Sequence, residues 1–287
     1  ISQLAIATLN VAISLIPNTL KKTTTIYLII DDTLQAKFGE KFDCYEKLFD
    51  HTSKNRSSYL NGQCFISLAI AIPITHNTKI NYLKLPIQYR LYDKTKTKLE
   101  VAADMVMDIT HALAEYQVIV TCDSWYTKAP FISSIKKFEN INIIGALRSD
   151  TAMFDLNIEK THKRGSPRKR GKRIDYHNLK YKKDCKFFVT HIKLAVNLID
   201  TPVYITITTT DIVKFTSVRL YISIIDPNEI NSFDNISIDE TKQDKPVEKS
   251  TYNIHKIRWN IETIFYQQKT FWSLRNYIVK SKESINK

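Results

Sequence analysis

The chain has 287 residues, 43% hydrophobic and 25% charged, which is enough apolar material for one large core or two smaller ones and excludes a disordered protein. With 42 Lys and Arg against 29 Asp and Glu, the formal net charge is +13, and a polyanionic partner is the first expectation, because cations that contact phosphates release counterions. The four cysteines, Cys44, Cys64, Cys122 and Cys185, lie far apart and form no CxxC pair, so neither a zinc knuckle nor a disulfide framework is suggested, and a reducing cytoplasm fits.

The chain opens on ISQLAIATLNVAISLIP, an apolar run interrupted by Gln3, Asn10 and Ser14 and lacking a basic leader. It reads as an amphipathic helix and not as a signal or a membrane span, so no membrane partner is expected. The sequence starts at Ile1 without an initiating Met, so it reads as a fragment whose upstream part is missing. Thr24 to Ile30, TTIYLII, is β-branched and aromatic without polar alternation, the pattern of a strand buried on both faces, and it runs into Asp31, Asp32 and Thr33. Two more strands are expected around Cys64 to Ile74 and Leu85 to Tyr92, with Gly62 read as structural. Lys98 to Tyr116 places Val101, Met105 and Ile109 at helical spacing, and the strand Val118 to Cys122 ends on Asp123. A helix from about Ala129 to Phe138 and a strand from Ile141 to Leu147 follow. Residues 1–148 thus read as the first part of an α/β core, with Asp31, Asp32 and Asp123 at the carboxyl ends of strands, where open sheets collect functional groups.

The segment 149–226 differs in character. Lys160 to Arg173 holds eight Lys or Arg in fourteen residues (Lys160, Lys163, Arg164, Arg168, Lys169, Arg170, Lys172 and Arg173) and is expected to be a solvated loop that touches backbone phosphates, joined by Arg148. The runs CKFFVTHIKLAV, TPVYITITTT and SVRLYISII then read as antiparallel strands. Residues 227–250 are polar and acidic and read as a linker. A last long helix is expected from about Thr251 to Ser281, within the closing segment 251–287. On it Arg258, Glu262 and Lys269 fall at i, i+4 and i+11, one stripe, beside an apolar stripe of Ile257, Ile261, Ile264 and Phe271. Taken alone, an Arg and a Glu four residues apart are an ordinary surface pair worth about 0.3 kcal/mol.

The order of these elements, with DDT (Asp31 to Thr33), DSWY (Asp123 to Tyr126) and RWNIETIFYQQK (Arg258 to Lys269), resembles the DDE transposases of bacterial insertion sequences. Arg, three residues, Glu, six residues, Lys matches that family's closing signature, while His255 stands where the family has Tyr. The resemblance implies a ribonuclease-H-like mixed sheet flanked by helices, with an antiparallel β insertion between the second Asp and the Glu. It implies Asp31, Asp123 and Glu262 as catalytic and metal-binding carboxylates, with Asp32 as the alternative to Asp31. It further implies cleavage and strand transfer at the ends of a mobile element, double-stranded DNA as partner and a homodimer on that DNA. No nucleotide cofactor is implied, and the expected location is the bacterial cytoplasm, at the nucleoid when DNA is bound. Hydrolysis of phosphodiesters needs an activated nucleophile and charge neutralisation at the leaving oxygen, which two Mg²⁺ ions about 3.5–4 Å apart supply, Mn²⁺ substituting. Arg258 and Lys269 would grip phosphates near the scissile bond. Trp125 and Tyr126 have two open readings: rings that pack the following helix on the sheet, or, Trp125 together with Trp259, rings that stack on an unpaired base. A ribonuclease-H-like nuclease without strand transfer and a non-catalytic DNA-binding relic are the alternative functions.

Overall fold

The computed structural model describes residues 2–21, 24–39, 41–49, 59–76, 79–158, 168–184, 186–197, 199–230, 251–274 and 276–285. In chain order these form α1 (Ser2–Ser14), β1 (Thr25–Ala36), β2 (Glu46–Phe49), β3 (Tyr59–His76), β4 (Lys79–Leu91), α2 (Lys98–Met107), β5 (Gln117–Cys122), α3 (Ala129–Ile135) and β6 (Ile141–Leu147). There follow β7 (Met153–Phe154), β8 (Lys182–Asp184), β9 (Phe187–Val196), β10 (Val203–Thr209), β11 (Arg219–Ser223), α4 (Pro227–Ile230), α5 (Thr251–His255), α6 (Asn260–Thr270) and α7 (Lys282–Ile285). Two compact units result, one of residues 1–118 with 257–287 and one of residues 119–256. Lys160, Lys163 and Arg164 of the basic segment, and 231–250 of the expected linker, lie outside the described residues.

In the first unit β3 lies between β1 and β4, with β2 also paired to it, all antiparallel. Residues Ile26 to Ile30 are buried because both faces of β1 are covered. The strand does not stop at the acidic pair as the sequence suggests. It continues to Ala36, since β3 stays hydrogen-bonded alongside as far as the Ala36–Gly62 pair. Asp31 and Asp32 therefore lie within a strand and point to opposite faces. Helix α2 starts on a capping box between Thr97 and Glu100 and ends at Asp108, well short of the expected Tyr116, where Arg90 of β4 pairs with the Asp108 carboxylate.

The expected long closing helix is broken into α5, a 3₁₀ turn at Lys256–Trp259, and α6, which ends at Thr270. Helix α6 buries Ile261, Ile264 and Phe265 against β1 and β4, each worth about 2 kcal/mol of apolar transfer. Phe271, expected in that stripe, is 71% exposed, because it caps the end of the helix beyond the strands.

In the second unit β5 and β6 are neighbours joined through α3, the crossover that parallel pairing requires. β11 pairs antiparallel with β6, then β10 with β11 and β9 with β10, so the antiparallel strands extend the sheet that β5 and β6 begin. The fold is α/β, a mixed parallel and antiparallel arrangement flanked by helices. Among the described residues no helix is long and apolar enough to cross a membrane.

Candidate active site

Two neighbouring carboxylates on β1 have different surroundings. Asp31 faces α6: Nη1 of Arg258 lies 2.6 Å from its Oδ2, and the two side chains are only 12% (Arg258) and 16% (Asp31) exposed. Its other oxygen accepts the backbone N–H of Asp32 at 2.9 Å. Nε of Arg258 is buried without a hydrogen-bond partner, so the guanidinium holds Asp31 through one edge only. Ser67 of β3 is the cross-strand partner of Asp31, Tyr89 of β4 is that of Ser67, and the Tyr89 ring meets Phe265 of α6, which confirms the face. Burial pushes the Tyr89 hydroxyl up to about 12, as expected among such neighbours.

Asp32 faces α2. Lys98 Nζ sits 2.8 Å from its Oδ2, and the thiol of Cys64 lies 3.5 Å from the same atom. Burial, with the Asp32 charge second, pushes the Cys64 thiol up to about 12, so it is an inert thiol. Burial pulls the Lys98 ammonium down, but Cys64 and Asp32 together outweigh it and its pKa is raised, which keeps the ion pair charged. Sequence reasoning missed Lys98, Cys64 and Tyr89, whose only signal is register across strands far apart in the chain.

Glu262 is exposed on α6, on the side away from Ile261 and Ile264. The continuous helix expected to place Arg258, Glu262 and Lys269 on one stripe is interrupted: Arg258 belongs to the 3₁₀ turn, which rotates about 120° per residue instead of 100°, while Glu262 and Lys269 lie on α6. Arg258 turns to Asp31, and Lys269 Nζ reaches the carbonyl of Leu34 at 3.4 Å, so both cations expected on phosphates lie against β1. Trp259 is half exposed, with the Arg258 guanidinium 5.2 Å from its ring.

Asp123 belongs to the other unit. It follows the last residue of β5 and its Oδ1 accepts the backbone N–H of Trp125 at 2.9 Å, a tight turn. Thr127 closes the turn onto β6 by donating to the Ala146 carbonyl at 2.8 Å. Gly145 permits this approach, since a Cβ there would lie 2.2 Å from the Thr127 methyl and 3.0 Å from the Cys122 sulfur. Tyr126 is fully buried, edge-on to Phe131 of α3, so of the two readings for this ring the packing one holds and a contact with DNA does not: it packs α3 on the sheet. Trp125 is 51% exposed with Lys128 Nζ 3.9 Å over its ring, so of the two rings only this one faces outward. On α5, His255 is buried, with Nε2 3.1 Å from the Cys122 carbonyl.

Arg148 is exposed and held bidentate by Asp150 at 2.9–3.0 Å. Arg168, Lys169, Arg170, Lys172 and Arg173 are exposed; Arg170 leans on the Phe154 ring, and the segment is tied to β7 through the Asp155 and Ile174 amides.

The groups expected to bind metal, Asp31, Asp123 and Glu262, would supply only carboxylate oxygens, the chemistry that suits a hard divalent cation. Among the described residues, no three His, Cys, Asp or Glu groups are gathered closely enough to hold a metal ion. In this state Asp31 is engaged by Arg258.

The model of one protein family, described as the DDE superfamily endonucleases, matches residues 7–186, a span that contains Asp31, Asp32 and Asp123 and ends before Arg258, Glu262 and Lys269. No curated protein matches the chain.

Proposed function

This chain belongs to the DDE superfamily endonuclease family, and we propose that within it the protein is a DNA transposase that cuts and joins the ends of a mobile element. Endonucleases of this family act on DNA and generally use divalent metals; the finer reading concerns which residues do so here and whether the cut ends are then joined. One observation carries it: the Arg of the closing signature reaches Asp31 across 227 positions of sequence, which puts the segment bearing Glu262 and the first Asp on one side of the same sheet.

On this reading Asp31, and not Asp32, is the first carboxylate, because α6 lies on the face of Asp31 while Asp32 is spent on Lys98 and α2. Asp31, Asp123 and Glu262 would hold Mg²⁺ or Mn²⁺. When bound, the ions lower the pKa of a water or 3′ hydroxyl and neutralise the leaving oxygen. Arg258, once released from Asp31, would present its guanidinium fork to a phosphate, and Lys269 would give a second, point-like contact. Trp125 and Trp259, both outward-facing, offer platforms for unpaired bases. The exposed cations of 168–173 and Arg148 bind backbone phosphates without reading sequence. Two element ends must be held at once, for which a homodimer on DNA is the simplest arrangement.

The test is cleavage of a supercoiled plasmid that carries the flanking element ends, in Mg²⁺ or Mn²⁺, by the unmodified protein and by Asp31→Asn, Asp32→Asn, Asp123→Asn and Glu262→Gln. Nicked and joined products with the unmodified protein and Asp32→Asn, lost in the other three while DNA binding persists, are expected. Nicks without joined products would reduce the protein to a nuclease, and DNA binding with no nicks at all would make it a relic.

A further inference from the structure

Asp123 can act only if the chain delivers its carboxylate in a defined direction, and the last residue of β5 is where the sheet ceases to impose one. The Cys122 carbonyl belongs to the peptide group that leads into Asp123, so the orientation of that plane sets the Cα and the side-chain direction of the Asp. Nε2 of His255 is 3.1 Å from this carbonyl oxygen. A carbonyl oxygen only accepts, so Nε2 carries the hydrogen and donates it.

His255 is itself fixed. It is 6% exposed, its ring lies 5.0 Å from the Tyr221 ring of β11, and α5 is anchored by the buried Ile254 and by the Tyr252 hydroxyl, which donates to Asp184 at 2.8 Å. Downstream of Asp123, the Trp125 amide and Thr127 clamp the turn to β6. The peptide before Asp123 is thus held by α5 and the turn after it by β6, all within one unit.

We infer that His255 is a positioning residue for Asp123, acting through the Cys122 carbonyl. The inference rests on the reading of Asp123 as a metal-binding carboxylate, and the role lies two steps from the reacting atoms: a ring N–H orients a peptide, and the peptide orients the carboxylate. Residues that orient metal-binding groups in this way change metal affinity by about 10–100-fold when removed.

The experiment uses the full chain with His255→Phe, which keeps a ring and loses the donor, and His255→Gln, which keeps an N–H donor. Asp123→Asn serves as the control for the reading itself. Three quantities are measured: Mn²⁺ affinity by electron paramagnetic resonance, affinity for duplex DNA, and hydrogen exchange of the stretch Ile119 to Lys128. His255→Phe is expected to weaken Mn²⁺ binding about tenfold or more and to speed exchange in that stretch, with DNA affinity within about twofold; His255→Gln is expected to restore most of both. If His255→Phe binds Mn²⁺ as tightly as the unmodified protein while Asp123→Asn does not, the inference fails and the reading of Asp123 stands. If Asp123→Asn leaves Mn²⁺ affinity unchanged, both fail. Should His255→Phe not fold, His255→Met replaces it as the donor-free variant, and equal Mn²⁺ affinity in His255→Met and His255→Gln overturns the inference.

Discussion

Replacing Arg258 by Met removes the cation from a pair whose members are 12% and 16% exposed, and leaves the Asp31 carboxylate largely withdrawn from water. Breaking a fully buried pair from one side costs about 3–5 kcal/mol, because the remaining charge is uncompensated. Residual exposure of Asp31, and the Asp32 amide that still donates to it at 2.9 Å, bring the expected cost to about 2–3 kcal/mol. In a unit of this size that is a drop of roughly 5–10 °C in Tm. Asp31→Asn in the same background removes the stranded charge, so the double variant is expected to be more stable than Arg258→Met alone, with a coupling energy of about 1.5–2.5 kcal/mol in a double-mutant cycle. Urea unfolding of the four proteins at one pH and salt concentration, with the slope m checked for constancy, supplies the numbers. A coupling below about 0.5 kcal/mol would mean that the pair is no stronger than a surface ion pair, and the link between the closing segment and β1 would lose its energetic basis.

Trp125 and Tyr126 are adjacent but separable: Tyr126→Ala is expected to cost about 3–5 kcal/mol in unfolding free energy, since the ring is fully buried, while Trp125→Ala changes stability by under about 1 kcal/mol and weakens DNA binding in a filter assay. Gly145→Ala drives a methyl to within 2.2 Å of the buried Thr127 side chain, so a loss of about 1–3 kcal/mol is expected together with slower DNA cleavage, whereas Ser124→Ala on the exposed turn leaves stability unchanged. The Lys282 ammonium, with the Thr95 hydroxyl second, holds the Asp93 carboxyl at about 2, below its ordinary 3.8. A depressed carboxyl contributes above its unfolded value and loses that contribution as pH falls toward the folded one, so limited pepsin digestion is expected to release the segment around α7 between about pH 4 and pH 2, and Asp93→Asn to release it already at pH 4.5.

Much of this was legible in the sequence because it is local. The run TIYLII has no polar alternation and formed a strand covered on both faces; QVIVTC and INIIGAL did the same at nearly their expected bounds. The spacing of Arg258, Glu262 and Lys269 is a property of the chain alone, as is the charge of the segment 168–173. Periodicity failed where it was asked to choose between neighbours or to extend a helix. In a strand buried on both faces, alternation does not say which face meets which helix, so Asp31 and Asp32 were separable only once Arg258 and Lys98 had taken one each. The 3₁₀ turn at Lys256–Trp259 carries no proline or glycine to announce it, and it is what separates Arg258 from the α-helix that carries Glu262. Tyr126 looked as free as Trp125 until Phe131 of α3 was folded over it, and His255 gained a role only beside a carbonyl 133 positions away. Hydrophobic pattern and spacing are set by neighbours along the chain. The partner of a half-buried charge, or of a carbonyl at the end of a strand, is set by which distant segment reaches it in three dimensions, and that selection belongs to the tertiary structure.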